Sequence, residues 1–170
     1  MMKQWSLLAA LLLVCGVATA QEQMHKVENV VLKGLDGSQC SLPMFGEKNL
    51  IIFYVDPDRH KQNEAFTYEM EEHHLAEGEE IVGFGVLNLK DSMLPNVLVR
   101  TIARKRTEKN GATVLVDDNR TLSTAWGLGD CNNLFTLILV SKEGEISFLG
   151  KGELTEEQQK AFYKALDQYR

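Results

Sequence analysis

The chain has 170 residues, a formal net charge of −6 and a hydrophobic fraction of 44%. This acidic balance argues against binding to nucleic acid, because such binding depends on clustered Lys and Arg that neutralise phosphates. The length suffices for one domain with a real core, and no apolar run reaches the roughly 20 residues that span a bilayer.

The first twenty residues have the pattern of a cleavable signal peptide. Lys3 provides a positive start, Leu7–Val14 is an unbroken apolar run, and Ala18-Thr19-Ala20 is a small-x-small cleavage site. The prediction is therefore export to the periplasm, with cleavage near Ala20-Gln21. In an alternative interpretation Cys15 is the acylated residue of a lipoprotein, which would give the only membrane association. Val14 before it disfavours that reading, since lipoprotein processing needs a small residue there.

The mature chain, residues 21–170, opens with a predicted hairpin and two β-α units. Val27–Lys33 and Gln39–Leu42 read as strands joined by the turn residues Asp36-Gly37. Asn49–Val55 is almost wholly apolar, which is typical of a central strand covered on both faces. A helix over His60–Ala76, a strand over Glu80–Leu89 and a helix over Asn96–Lys109 follow, with Leu98 and Ile102 expected to face inward.

The second half alternates in the same way and ends in a hairpin and a helix. The predicted elements are strands Thr113–Val116, Leu134–Val140 and Glu145–Leu149, a short helix Thr121–Trp126, and a last helix that Thr155 and Gln158 begin with a capping box. Strands alternating with helices imply a sheet covered on both faces. The expected fold is a single three-layer α/β/α sandwich with a starter β-hairpin and a mixed, largely parallel sheet.

Several segments carry a resemblance to a known fold. NLIIFYVD, a helix and IVGFGVLNLKD, followed by VLVDDNRTLSTAWGL and FTLILVSKEGEISFLGKGELTEEQ, resemble thioredoxin-like proteins of the thiol-peroxidase and cytochrome-maturation type. The likeness covers roughly residues 27–169. LKDSMLPNVLVRTIARKR and KGELTEEQ are similar to the YtfJ family, which consists of small periplasmic thioredoxin-fold proteins. This resemblance implies a thioredoxin-like fold in an exported protein.

The resemblance also shows what this chain lacks. Redox members of the fold carry a Cys-x-x-Cys or a lone peroxidatic Cys where the first central strand meets its helix, since a helix N-terminus stabilises a thiolate. Here that segment contains no cysteine and reads Asp56, Pro57, Asp58, Arg59 and His60. No proline precedes Leu134, where the fold usually has a cis-proline, so a trans loop is expected.

Two cysteines remain in the mature chain as candidate thiols. Cys131 should lie at the carboxyl end of the sheet, beside the Asp56–His60 segment, where ligand sites of open α/β sheets collect. It is either a reactive single-cysteine centre or a packed loop residue with Asp130 disfavouring a thiolate. Cys40 is predicted to be a packed strand residue. The two could also pair in a disulfide, although the sequence favours separate thiols.

Other candidate sites are weaker. His73 and His74 are adjacent on a helix and point about 100° apart, so they do not predict a metal site, and no cofactor is expected. A group of basic residues on the second helix predicts a solvated face that contacts the Glu-rich helix; it comprises Arg100, Arg104, Lys105, Arg106 and Lys109. The favoured hypothesis is a redox-silent protein that binds a periplasmic protein or peptide. The alternative is a thiol-dependent oxidoreductase or redox sensor using Cys131, with or without Cys40.

Overall fold

The structure is a computed structural model that describes residues 25–170. The predicted signal peptide, its cleavage site and Cys15 lie outside the described residues. Residues 25–170 form seven strands, which are β1 (Val31–Gly34), β2 (Gln39–Ser41), β3 (Asn49–Val55), β4 (Ile81–Asn88), β5 (Val114–Asp117), β6 (Phe135–Val140) and β7 (Ile146–Lys151). The α-helices are α1 (Glu64–Glu72), α2 (Asn96–Asn110), α3 (Thr121–Ala125) and α4 (Glu156–Leu166).

The strands form one mixed sheet in the order β2-β1-β5-β4-β3-β6-β7. Only β3 with β4 and β4 with β5 pair in parallel, and the other four pairings are antiparallel. The prediction of a largely parallel sheet is therefore wrong. Besides the two hairpins, β1 runs antiparallel to β5 and β6 runs antiparallel to β3, so parallel pairing is confined to β3, β4 and β5.

Two apolar layers cover the faces of the sheet, as the sequence predicted. On one face, Phe66 and Met70 of α1 pack with Phe162 and Leu166 of α4, and Ile51 of β3 lies beneath them. On the other face, Trp126 and Leu122 pack with strand residues and with the chain before β1. Continuous apolar strands therefore serve both layers, which is why β3 lacks polar alternation.

Two details of the helices differ from the sequence prediction. The predicted helix His60–Ala76 is shorter in the structure. Pro57–Arg59 forms a 3-10 turn, and Asn63, with φ 59°, is not helical, so α1 begins only at Glu64. On α2 the buried residue is Val99, whereas Leu98 and Ile102, expected inward, are largely exposed. The helix thus turns Val99, rather than Leu98 and Ile102, toward the sheet.

The last helix is built as the sequence predicted. Thr155 Oγ1 accepts a hydrogen bond from the Gln158 backbone N–H at 3.2 Å, and the Gln158 side chain accepts one from the Thr155 N–H at 2.9 Å. In the described part of the chain no helix is both long and apolar enough to cross a membrane.

Candidate functional site

The carboxyl ends of the parallel strands β3, β4 and β5 meet at one edge of the sheet, together with the start of β6. Each of these strands ends in a polar residue that is buried, namely Asp56 after β3, Asn88 in β4 and Asp117 in β5. Buried polar groups require partners. Their hydrogen bonds show what this edge is built to do.

Asp56 is fully buried and its carboxylate bonds only to backbone. One oxygen accepts from the Asp58 N–H at 2.9 Å and caps the 3-10 turn, and the other accepts from the Asn133 N–H at 2.8 Å. The Asp56 N–H donates to the Leu134 carbonyl at 3.1 Å. Asp56 therefore joins the end of β3 to the loop before β6, and its oxygens point inward rather than toward a ligand.

Two further residues of the 56–60 segment, Asp58 and His60, also contact polar groups. Asp58 accepts from the Ser92 hydroxyl at 3.1 Å and from the Met93 N–H at 2.8 Å, which ties the turn to the loop after β4. His60 Nδ1 lies 3.0 Å from the Pro57 carbonyl oxygen. Pro57 is buried, whereas Arg59 and His60 are exposed. None of these side chains is a nucleophile able to attack a disulfide.

Asp117 organises the neighbouring strand end. Its carboxylate accepts from the Thr121 N–H at 2.7 Å and the Leu122 N–H at 2.9 Å, which satisfies the first turn of α3. The Tyr54 hydroxyl lies 3.2 Å from the same carboxylate. Burial, reinforced by the Asp117 charge, raises the pKa of Tyr54, so its hydroxyl stays protonated and donates this bond. Both oxygens of the Asp117 carboxylate therefore have donors within the fold, and the arrangement is structural.

An ion pair that the sequence analysis did not anticipate lies beside it. Arg120 donates through Nε to the Asp91 carboxylate at 2.7 Å, and the Asn88 amide donates to its other oxygen at 2.7 Å. The Asp91 side chain is only 3% exposed. The Arg120 hydrogen bond holds the pKa of Asp91 below its usual range, against the opposing effect of burial. The one indication in the sequence that these residues meet is their position, since Asp91 follows one predicted strand and Arg120 follows the next.

Cys131 lies in the loop that Asp56 holds, so the predicted neighbourhood is present, but its thiol faces inward. It is 3% exposed and packs in the layer that contains Trp126 and Leu128. Its closest polar partner is the Gly129 carbonyl, with Sγ 3.6 Å from the oxygen. Burial raises the pKa of the Cys131 thiol, although nearby Thr136 and Lys151 oppose the effect. The thiol is therefore protonated near neutral pH.

Cys40 is a half-buried residue of the edge strand β2. Both cysteines are free thiols. Cys40 is in β2 and Cys131 is in the loop that leads into β6. The strands β1, β5, β4 and β3 lie between β2 and β6, which are therefore about 20 Å or more apart at the usual strand spacing. A disulfide requires Cα atoms within about 7 Å, so these two cysteines do not pair within this fold.

The remaining chemistry of the described residues is limited. No group of three or more His, Cys, Asp or Glu in residues 25–170 has the arrangement needed for a metal ion. All peptide bonds in this range are trans, including those of the Asp130–Asn133 loop.

The basic residues of α2 do not contact the Glu-rich helix as a group, because Arg100 and Arg104 donate to carbonyls of the β1–β2 turn.

No protein-family model and no curated protein sequence matches the chain. Solved structures do match it. They include a DsbF homologue from Corynebacterium diphtheriae, with a TM-score of 0.64, 17% identity and coverage of 87% of this chain and 88% of that one. The exposed lipoprotein thioredoxin Etrx1 of Streptococcus pneumoniae has a TM-score of 0.59, 17% identity and coverage of 83% and 99%. The solution structure of a candidate thioredoxin from Neisseria meningitidis has a TM-score of 0.60, 15% identity and coverage of 84% and 89%.

These likenesses extend over most of each chain, but their sequence identities are low. They therefore establish the fold and leave the activity open. The chain has a thioredoxin-like fold.

Proposed function

We propose that this protein is an exported, redox-silent member of the thioredoxin fold, of the YtfJ type, that binds a protein or peptide partner in the periplasm. One observation carries the proposal. The segment where β3 ends contains no cysteine, and its buried carboxylate, Asp56, is bonded internally to Asp58 and Asn133. The solved structures with the same fold include a protein described as a thioredoxin, and the 56–60 segment of this chain has no cysteine to supply a thiol.

Export is part of the proposal and rests on the N-terminal pattern. Lys3, the apolar run Leu7–Val14 and Ala18-Thr19-Ala20 support cleavage before Gln21. N-terminal sequencing of the protein recovered from the periplasmic fraction should begin at or next to Gln21. A lipid-modified N-terminus at Cys15 would instead support the lipoprotein alternative.

The competing function is an oxidoreductase or redox sensor that uses Cys131. Its support is the position of the Cys131 loop, which Asp56 holds against the 56–60 segment. Its difficulty is that a reactive thiol needs a lowered pKa and access to solvent, and Cys131 has neither.

Alkylation of the native protein separates the two functions. With iodoacetamide at pH 7, followed by peptide mapping, we expect half-buried Cys40 to react first and Cys131 to react only after denaturation. Rapid native alkylation of Cys131, or a mapped Cys131 sulfenic acid after mild peroxide, would overturn the redox-silent proposal. The Cys40→Ser variant, in which Cys131 is the remaining thiol of the mature chain, is the control that assigns the signal.

A further inference from the structure

The first turns of α2 and the loop before them carry a patch of exposed apolar side chains. Residues 25–170 contain eight large apolar side chains that are exposed, and five of these lie within the ten residues 93–102. The five form what we call the apolar patch, which consists of Met93, Leu94, Val97, Leu98 and Ile102. Met93 is 89% exposed and Val97 is 78% exposed, so both side chains protrude from the surface. Clustered exposed apolar residues mark a contact surface, whereas scattered ones do not.

Hydrogen bonds fix the loop part of the apolar patch. The Asp58 carboxylate accepts from the Met93 N–H at 2.8 Å and from the Ser92 hydroxyl at 3.1 Å. The Ser92 hydroxyl oxygen in turn accepts from the Leu94 N–H at 3.1 Å. The fold therefore presents Met93 and Leu94 to solvent on a backbone that is held in place.

The core of the protein does not use the apolar patch. The residue of α2 that packs inward is Val99, which contacts the cluster of Leu89 and Val116. Leu98 and Ile102 lie one turn apart on a different face of the helix and are largely exposed. The helix thus has apolar side chains on two faces, and the core covers only one of them.

Two lysines continue the exposed face of α2. From Ile102, Lys105 is three residues further along the helix and Lys109 is seven, so both follow Leu98 and Ile102 along one side. Both lysines are exposed, and neither forms an ion pair within residues 25–170. The one acid of α2, Glu108, is exposed beside them. The exposed face is therefore apolar in its first half and mainly basic in its second half.

The charge of this part of the chain is opposite to that of the whole. Residues 90–110 contain six basic and two acidic residues, whereas the chain has a net charge of −6. One of the two acids, Asp91, is paired with Arg120. A local excess of positive charge beside protruding apolar side chains is complementary to a surface that is anionic outside and apolar inside.

We infer that the apolar patch, together with Lys105 and Lys109, binds the surface of an anionic phospholipid bilayer. Met93 and Val97 insert among the acyl chains just below the headgroups, and the lysines pair with lipid phosphates. A bilayer suits protruding side chains, whereas a helical peptide partner is bound in a groove. The inference goes beyond the proposed function, since it involves neither the 56–60 segment nor lipid modification of Cys15.

The test is sedimentation of the mature protein, residues 21–170, with vesicles of phosphatidylglycerol and phosphatidylcholine in equal parts. We expect binding to these vesicles and much weaker binding to vesicles of phosphatidylcholine alone. Sodium chloride should lower the bound fraction, because it screens the charges of the lysines and the lipid. Absence of binding to the phosphatidylglycerol vesicles at low salt would overturn the inference, and so would equal affinity for the two kinds of vesicle.

The apolar contribution is tested with exposed residues. Met93→Ser/Val97→Ser should weaken binding to the phosphatidylglycerol vesicles at least about tenfold, because two inserting side chains are lost. Val31→Ser is the control, since Val31 is an exposed apolar residue of β1 outside the apolar patch, and it should leave the affinity unchanged. Thermal unfolding checks that each variant is folded. Equal affinities of the folded double variant and the control would contradict insertion.

The charge is tested with two pairs of lysines. Lys105→Gln/Lys109→Gln should weaken binding to the phosphatidylglycerol vesicles about tenfold or more. Lys160→Gln/Lys164→Gln removes the same charge at the same spacing from α4 and should leave the affinity unchanged. Equal losses in the two variants would overturn the assignment to α2, because net charge alone would then explain them. A dimer in sedimentation velocity that Met93→Ser/Val97→Ser dissociates, without vesicle binding, would overturn the inference in favour of a second copy of the chain.

Discussion

At the residue scale, the end of β3 shows how a buried carboxylate can hold together a segment that contains no cysteine. Asp56 forms two hydrogen bonds through its carboxylate and is fully buried. Its role is to connect the 3-10 turn with the loop before β6. A buried carboxylate with a backbone donor on each oxygen stabilises the fold and is not exposed to a substrate.

Also at the residue scale, packing in an apolar layer accounts for the burial of Cys131. We predict that Cys131→Ala lowers the free energy of unfolding by about 1 kcal/mol, because it removes one buried sulfur from a packed layer. Urea unfolding monitored by Trp fluorescence measures the change. The loss should be the same with dithiothreitol and with oxidised glutathione. A stability difference between these conditions that depends on Cys131 would point to a redox role.

Loss of the Asp117 carboxylate should lower the free energy of unfolding more than loss of the Tyr54 hydroxyl. Asp117→Ala leaves the Tyr54 hydroxyl and two α3 N–H groups without their acceptor, so we expect a loss of about 3 kcal/mol of unfolding free energy. Tyr54→Phe removes one hydrogen bond and should cost about 1 kcal/mol. Chemical denaturation of the two single variants and the double variant gives the coupling between them. Equal costs for Asp117→Ala and Tyr54→Phe would show that α3 does not depend on this carboxylate.

At the scale of elements, the Arg120–Asp91 pair joins the loop after β4 to the turn before α3. The pKa of Asp91 is lowered in the fold, so its contribution to stability is present above the unfolded value of 3.8 and is lost as the pH falls through the lower folded value. We therefore expect Arg120→Gln to lower the melting temperature at pH 7, with the difference from the unsubstituted protein shrinking below about pH 4.

Thermal unfolding followed by circular dichroism between pH 7 and pH 3 tests this dependence. Lys105→Gln serves as the control because Lys105 makes no ion pair within residues 25–170, and it should leave the melting temperature unchanged at each pH. If the Arg120→Gln difference were as large at pH 3 as at pH 7, the Asp91 carboxylate would not be its source.

Strands were more predictable than helices in this chain. The bounds of β3 match the sequence prediction because a continuous apolar run between turn residues has few alternatives. The start of α1 was missed because Asn63 adopts a left-handed conformation, which tertiary bonds from its side chain to Gly152 and Leu154 support. The burial of α2 was misjudged because several apolar residues lie close together on this helix, and Val99 is the one that packs inward.

At the scale of the molecule, the three-layer plan was predictable and the direction of β6 was not. Residue pattern identifies a buried strand, but parallel and antiparallel neighbours can bury the same residues. The polar residues at the carboxyl edge of the parallel strands were only partly predicted from the sequence. The 56–60 segment was identified through the fold resemblance, whereas the Asn88–Asp91–Arg120 cluster depends on contacts between loops 29 residues apart in the chain.

The central claim is that a thioredoxin-like fold persists here without thiol–disulfide exchange. Its most direct test is dithiothreitol-driven reduction of insulin disulfides, measured as turbidity, with a thioredoxin as positive control and the Cys40→Ser/Cys131→Ser double variant alongside. The account predicts that the protein and the double variant both give the rate of dithiothreitol alone. Acceleration by the protein that disappears in the double variant would contradict it.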